Sequence, residues 1–285
     1  MVPFSKILLP IDFSERCLGA ARFSIPLAER FHAEITLLHV EMPPEAYPES
    51  NIDREIPPEK RLRDFLCAAF AHLDVKRVLR VGFDVAEEIV KYAREHDTDL
   101  IMMPTHGYGA FRRLLLGSTT AKVLYDASCP VWTGAKLAQG PRAEWLNPTT
   151  IVCAADNDAR SKNALKWASR LASALDADLI LVHVEPRLQS SGEEYYSKEF
   201  HEQVVAEANA KMDKLQRAAG TQAQVVLQGG KVARAVSKGA EDLDADLLVT
   251  PLRWRMRQQE CRGVDRGNDS GRQPSRCQSA ERAPL

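Results

Sequence analysis

The sequence repeats itself over most of its length, and this repeat limits the possible folds more than any other feature. Three blocks match in the same order: Lys6–Asp12 with Thr150–Asp156, Leu37–Glu41 with Leu181–Glu185, and Gly82–Pro104 with Gly229–Pro251. The first two pairs align without a gap at a spacing of 144 residues, and a length difference of three residues precedes the third. Matching blocks in one order predict two tandem copies of a single domain.

Each copy alternates strands that are apolar throughout with amphipathic helices. In the first copy, strands are predicted at Lys6–Ile11, Glu34–Val40, Val75–Val81, Asp99–Met103 and Pro130–Thr133. The helices are predicted to begin after the N-cap Ser14, to carry the apolar side chains between Leu62 and Leu73, and to cover Val85–Ala93 and Ser118–Tyr125. Pro26 is expected to kink the first of them.

Strands without polar alternation are typical of sheets that carry helices on both faces. The sequence therefore predicts an α/β fold made of two tandem doubly wound domains. Each is expected to have an open, mainly parallel five-stranded sheet, and the second domain is expected to be incomplete.

The predicted domain boundaries follow the repeat. The first domain is assigned to residues 1–138, a linker with Gly140, Pro141 and Pro148 to residues 139–148, and the second domain to residues 149–251. Residues 252–285 contain eight arginines and four acidic residues but no lysine or isoleucine, and they show no periodicity, so a disordered Arg-rich tail is predicted. A reading-frame shift near Pro251 and a basic tail that binds an acidic partner are the two explanations for this ending.

Composition narrows the classes of partner and compartment. A net charge of −1 gives no reason to expect nucleic acid or an anionic membrane as a partner. No apolar run reaches the roughly 18 residues that a membrane-spanning helix needs. The 6 cysteines are far apart, without a CxxC pair, and no secretory apolar segment is present at the amino terminus. A cytoplasmic protein with reduced thiols is predicted.

One stretch carries a recognisable binding pattern. From Pro104 to Ser118 the sequence reads PTHGYGAFRRLLLGS, so a strand leads into a glycine-bearing loop and then into a helix that begins near Gly117. The first backbone N–H groups of a helix have no partner inside the helix, and they attract anions. Ligands of doubly wound sheets bind beyond the carboxyl ends of the strands, which here are marked by Asp12, Val40 and the loop from Pro104.

This loop, together with Asp12 and the segment SCPVW at Ser128–Trp132, resembles the universal stress protein family in a tandem form. The family motif is Gly, two residues, Gly, nine residues, then Gly followed by Ser or Thr. Gly107, Gly117 and Ser118 fit this motif, whereas Pro104 stands where the first glycine should be. The resemblance implies a fold like that of the adenine nucleotide alpha hydrolases.

The resemblance also implies ATP or another adenine nucleotide as the ligand. Asp12 would contact the adenosine portion, Val40 would line the base pocket, and the motif residues would hold ribose and phosphates. The implied set of binding residues is Pro10, Asp12, Val40, Met103, Gly107, Gly117, Ser118 and Thr119. No catalytic residue and no metal site is assigned, and the sequence leaves a role for Mg²⁺ open.

Structural roles compete with these assignments. Asp12 could simply cap the first helix, and Gly107 and Gly109 could serve only the turn. Solvent exposure is the simpler explanation for Arg112, Arg113 and Lys122, and a structural role is the simpler one for His106. Packing or hydrogen bonding is favoured for His39 and His183, which recur at the ends of matching strands. Pro104 lacks a backbone N–H, which weakens the case for a nucleotide.

Three classes of function remain open. The first is a non-enzymatic stress-response module with an adenine-nucleotide site in the first domain, and the second is an interaction protein that binds no nucleotide. The third is a weak ATP hydrolase, which is disfavoured because the sequence has no GxxxxGK[ST] loop. The resemblance also implies that last strands pair across a dimer or between the tandem halves; because the second copy lacks a matching last strand, the edge at Pro130–Thr133 is expected to pair with another molecule of the protein.

Overall fold

The computed structural model describes residues 3–43, 56–105, 117–134, 141, 146–188 and 198–251. The predicted tail, 252–285, and the loop residues His106, Gly107, Gly109, Arg112 and Arg113 lie outside the described residues, as does most of the predicted linker.

Among the described residues, the second copy follows the succession of elements of the first as far as its fourth strand, with an added 3₁₀ turn. The first contains β1 (Lys6–Pro10), α1 (Glu15–Phe31), β2 (Glu34–Glu41), α2 (Pro58–Asp64), β3 (Val75–Val81), α3 (Val85–Glu95), β4 (Leu100–Met102), α4 (Ser118–Asp126) and β5 (Val131–Trp132). The second contains β6 (Thr150–Ala154), α5 (Ala159–Leu175), β7 (Asp178–Val184), a 3₁₀ turn (Pro186–Leu188), α6 (Lys198–Ala219), β8 (Gln224–Gln228), α7 (Val232–Asp242) and β9 (Leu247–Val249).

The strands form two parallel sheets, which confirms the predicted fold class. The first sheet has five strands in the order β3-β2-β1-β4-β5, and the second has four in the order β8-β7-β6-β9. In the first sheet, the strand order reverses between β1 and β4, which pair through Ile7 with Leu100 and Leu8 with Ile101. Within the part of the chain that the structure covers, the second sheet has no counterpart of β5, in line with an incomplete second domain.

The repeat extends to the caps of the helices. α1 and α5 are both 17 residues long, and their N-caps are Ser14 and Asp158. Asp99 accepts hydrogen bonds from the N–H groups of Ser5 and Lys6, at 2.9 and 3.1 Å. Asp246 holds the start of β6 in the same way. Both copies thus use the same local interactions to begin the first strand and the first helix.

Apolar side chains pack on both faces of the first sheet. The face under α1 has Ile7, Leu9, Ile35 and Leu37, and the face under α3 and α4 has Leu8, Leu38 and Ile101. Of the helix residues predicted to face the core, Val85 of α3 is half-buried and the others are buried: Ala20, Ser24, Leu27, Ala28 and Phe31 in α1, and Ile89, Val90 and Ala93 in α3. The alternation of strand residues between two helical layers is that of a doubly wound domain.

The α1 layer also joins the two copies. Phe31 of α1 and Leu171 and Leu175 of α5 belong to one buried cluster. At its edge, the Arg30 guanidinium donates to the Asn147 side chain and to the Ala174 carbonyl, both at 3.1 Å.

One local expectation needs correction. The helix predicted to run as far as Leu73 ends at Asp64, because Leu66 adopts a left-handed φ of 47° and the chain continues in turns, from which Phe70 still reaches the core. α1 continues through Pro26 to Phe31, and the kink expected at Pro26 stays a prediction. Among the described helices, none is long and apolar enough to cross a membrane.

Candidate functional site

The candidate site lies beyond the carboxyl ends of β1 and β4, where the strand order reverses. Chain segments that leave these neighbouring strands diverge to opposite faces of the sheet and leave a crevice between them. Asp12 follows β1, Val40 is in β2, and Met103 follows β4. The implied residues that the structure describes therefore lie around one end of the sheet.

Asp12 holds the turn from β1 into α1. Its Oδ1 accepts hydrogen bonds from the Ser14 N–H at 2.9 Å and from the Ser14 hydroxyl at 2.7 Å. The Ser14 Oγ in turn accepts from the Cys17 N–H at 3.2 Å and is the true N-cap. Asp12 thus supports the cap and does not replace it.

Cys17 lies beneath this turn. Its thiol donates to the Pro10 carbonyl at 3.4 Å, and burial together with the nearby Asp12 carboxylate raises the pKa of Cys17 to about 12. A thiol with this pKa stays protonated at neutral pH and is a poor nucleophile. Cys17 is a structural residue, as is Cys153, whose pKa burial also raises to about 12.

The two stems of the predicted phosphate loop are held together. The Gly117 N–H donates to the Thr105 carbonyl at 2.7 Å, and the buried Thr120 hydroxyl donates to the Pro104 carbonyl at 3.1 Å. Gly117 is the N-cap of α4 and provides no side-chain cap. These contacts place the start of α4, with Ser118 and Thr119, beside the carboxyl end of β4. Pro104 takes part through its carbonyl group, which proline retains.

The apolar residues of the implied set lie at the carboxyl ends of the strands and are mostly buried. Val40 and Met103 are buried in the cluster between the sheet and helices α3 and α4, and Pro10 is half-buried at the end of β1. Gly107 lies outside the described residues. The structure thus brings together Pro10, Asp12, Val40, Met103, Gly117, Ser118 and Thr119.

Lys122 forms an ion pair with Asp84, which also caps α3 by accepting from the Glu87 N–H at 3.0 Å. The pair raises the pKa of Lys122 and lowers that of Asp84, in each case chiefly through the hydrogen bond between them. The sequence predicted an exposed lysine and missed this partner. The aspartate before an apolar helical pattern was the available signal, but it indicated only a cap.

The recurring histidines are hydrogen-bonded, as predicted. His39 Nδ1 lies 2.6 Å from the Ile11 carbonyl, and His183 Nδ1 lies 2.9 Å from the Ala155 carbonyl. A carbonyl only accepts, so Nδ1 donates in both copies. These rings fasten strands β2 and β7 to the turn that follows the neighbouring strand.

The corresponding end of the second sheet is organised differently. Arg187 Nε and Nη2 donate to the two carboxylate oxygens of Glu185, at 2.9 and 3.0 Å, and Arg187 also contacts Glu207 at 3.3 Å. Lys211 lies 3.9 Å from Glu185. The hydrogen bonds from Arg187 lower the pKa of the buried Glu185 to about 2. Ion pairs thus occupy the end of β7, whereas Val40, near the end of β2, is buried in the apolar cluster that packs against α3 and α4.

Within the described ranges, no group of three or more His, Cys, Asp or Glu side chains is arranged to hold a metal ion.

The geometry defines a class of protein: a tandem doubly wound α/β protein whose first domain has a helix N-terminus beside the crevice at its topological switch point. The model of the universal stress protein family matches residues 3–133 and 148–255. The chain therefore belongs to the universal stress protein family.

Individual relatives agree with this assignment. A universal stress protein of Methanocaldococcus jannaschii is 31% identical over 137 residues, which are 45% of this chain and 80% of the relative. One of Thermus aquaticus is 32% identical over 135 residues, which are 45% of this chain and 96% of the relative. The crystal structure of a universal stress protein from Archaeoglobus fulgidus covers 85% of each chain with a TM-score of 0.59 and 21% identity, and so shares the tandem fold.

Proposed function

We propose that the first domain binds an adenine nucleotide and that the protein is a non-enzymatic stress-response module of the cytoplasm. One observation carries the proposal: two hydrogen bonds, from Gly117 to Thr105 and from Thr120 to Pro104, hold the start of α4 beside the carboxyl end of β4. A helix N-terminus fixed at a topological switch point is a favourable place for phosphate groups.

The surrounding residues fit the two parts of such a ligand. Val40 and Met103 offer an apolar wall for a base, and Asp12 offers a carboxylate that can accept from ribose hydroxyl groups. The N–H groups at Ser118 and Thr119 supply donors for phosphate oxygens. The missing N–H of Pro104 does not weaken this arrangement, because α4 supplies the donors and the Pro104 carbonyl anchors the stem.

Binding without turnover is the simpler function for this site. The sequence lacks the GxxxxGK[ST] loop, and Lys122, the cation nearest the start of α4 along the helix, is engaged by Asp84. Hydrolysis would need a group that activates water. The thiol of Cys17 is protonated and buried and does not serve this purpose.

The first test is to find the ligand and to remove the carboxylate. The purified protein is heat-denatured and the released small molecules are separated by chromatography, and ATP binding to nucleotide-free protein is measured by calorimetry. We expect Asp12→Ala to weaken ATP binding by about tenfold or more, since a hydrogen bond to a charged group contributes about 1.5–3 kcal/mol.

Asp156→Ala is the matched control, because Asp156 holds the same turn of the second copy through the Asn157 N–H. It should leave ATP affinity unchanged. If no nucleotide is released, ATP does not bind and added ATP causes no thermal shift, the protein is instead an interaction protein that binds no nucleotide. Steady ATP turnover that Asp12→Ala abolishes would instead establish the hydrolase.

The edge of the first sheet supports a proposal of self-association. The N–H groups of Ile101 and Met103 donate to the carbonyls of Pro130 and Trp132, at 3.0 and 3.1 Å. Successive residues of a strand direct their hydrogen-bonding groups to opposite sides, so the N–H of Val131 faces away from β4. None of the described strands pairs with this side of β5, so the edge can receive a strand of a second molecule.

Val131→Pro removes the outward N–H and leaves the described β4–β5 hydrogen bonds in place. We expect wild-type protein to self-associate in sedimentation velocity at micromolar concentration, and Val131→Pro to shift it toward monomer. Val131→Ala keeps the N–H and should behave as the wild type does. A strictly monomeric wild type contradicts the proposal.

A further inference from the structure

Phe83 is a large apolar side chain at the carboxyl end of the first sheet that packs little against the protein. It follows the end of β3 and is 71% exposed. An aromatic ring in water costs free energy that burial against a partner would recover. The residues around Phe83 indicate what kind of molecule covers its ring.

The backbone on both sides of Phe83 is fixed. The N–H of Gly82 donates to the Glu41 carbonyl at 3.0 Å, which ties the segment to the end of β2. Asp84 caps α3 and pairs with Lys122 of α4. A Cβ atom at position 82 would lie 2.6 Å from Glu88 Cγ, so a larger residue there would displace the Glu88 side chain. The ring of Phe83 is therefore presented from a rigid support.

The residues that hold Gly82 and Asp84 in place are Glu41 of β2 and Lys122 of α4. Both of these elements border the candidate nucleotide site. Glu41 directly follows Val40, the residue that the proposed function places beside the base. Lys122 lies about one turn after Ser118, at the phosphate end. Val40, α3 and α4 pack on the same face of the sheet. Phe83 thus stands between a neighbour anchored to the end of β2, next to Val40, and a neighbour anchored to α4, the helix that begins at Ser118.

The second copy has neither the exposed aromatic residue nor the glycine motif of the phosphate loop. Gly230 stands at the position of Phe83, and Lys231 stands at that of Asp84. Val184, the counterpart of Val40, is buried as Val40 is, but the next residue, Glu185, pairs with Arg187, whereas Pro43 stands in place of that arginine in the first copy. The exposed aromatic residue is therefore found only in the copy that has the glycine motif.

We propose that Phe83 stacks on the purine base of the bound nucleotide and so fixes the base against Val40. This inference rests on the proposed nucleotide function, and it assigns a base-recognition residue that is separate from the groups that hold phosphate. Aromatic rings stack on bases because both present flat, polarisable faces, and the stacked base buries the ring.

The test separates the base from the phosphates. Calorimetry measures ATP binding and, in parallel, the binding of inorganic tripolyphosphate, which has no base. Phe83→Ala should weaken ATP binding by about fivefold to a hundredfold and should leave tripolyphosphate binding unchanged. Phe83→Trp should retain ATP affinity, and its added fluorescence should be quenched by ATP but not by tripolyphosphate.

Tyr125→Ala is the matched control, because Tyr125 is an aromatic residue of similar exposure, 76%, near the far end of α4. It should bind ATP as the wild type does. Equal ATP affinity of Phe83→Ala and wild type, or parallel losses for ATP and tripolyphosphate, would overturn the stacking role alone. A wild type that binds no ATP would overturn the proposed function and this inference together.

Discussion

Ile101→Ala is expected to lower the free energy of unfolding by about 2–5 kcal/mol, and Leu248→Ala by less than about 1 kcal/mol. The two residues occupy the same position in the repeat. Ile101 of β4 pairs with Leu8 of β1, and Leu248 of β9 pairs with Val152 of β6. Their environments differ: Ile101 is 0% exposed, and Leu248 is 39% exposed.

The difference has a clear physical cause. α3 and α4 pack over Ile101, and Val123 of α4 is itself fully buried in that cluster. The corresponding cluster of the second copy contains four buried residues, Ala154, Val184, Ala235 and Val236, and α7 is the helix that supplies two of them. Truncating Ile101 leaves a cavity that the packed helices fill only in part, whereas truncating Leu248 removes contacts that water already shares.

Urea denaturation followed by circular dichroism measures both variants against the wild type. Ile101 and Leu248 match in their position in the sheet, in strand direction and in side-chain size, so each variant serves as the control for the other. A loss for Leu248→Ala as large as that for Ile101→Ala would mean that Leu248 is covered in solution and that the second domain is completed by a partner.

The repeat in the sequence predicted the elements that depend on local periodicity. The α1 face with Leu27 and Phe31 is buried as expected, and β7 begins at Asp178, 144 residues after the start of β2 at Glu34. Caps were also predictable, since Ser14 combines a short acceptor side chain with a following apolar pattern. These features follow from neighbours in sequence, and so the sequence was sufficient for them.

The contacts that shape the site could not be predicted in this way. Lys122 and Asp84 are 38 residues apart, and Thr120 and Pro104 are 16 apart. Their contact depends on how α4 packs against α3 and β4, which no local pattern specifies. The turn at Leu66 was missed for a related reason: an apolar spacing that suits a helix also suits a bent segment that packs against the same core.

The second large effect concerns the acid stability of the second domain. Hydrogen bonds from Arg187 lower the pKa of Glu185 from 4.5 to about 2 in the folded protein. A carboxylate whose pKa is depressed by folding stabilises the folded state above the unfolded pKa. That contribution is lost as the pH falls from about 4.5 to about 2. Because Arg187 is 42% exposed, solvent screening reduces the contribution to about 1–3 kcal/mol.

Glu185→Gln should therefore destabilise the protein at pH 7 and bring its stability close to that of the wild type near pH 2. Glu41→Gln is the control: Glu41 is the counterpart of Glu185, and Pro43 stands where Arg187 would be. Urea midpoints measured between pH 2 and pH 7 give the difference between each variant and the wild type. A difference for Glu185→Gln that is constant over this range would mean that the ion pair makes no pH-dependent contribution. The second copy would then be held at β7 by packing alone, and its charged network would have to be explained by something other than stability.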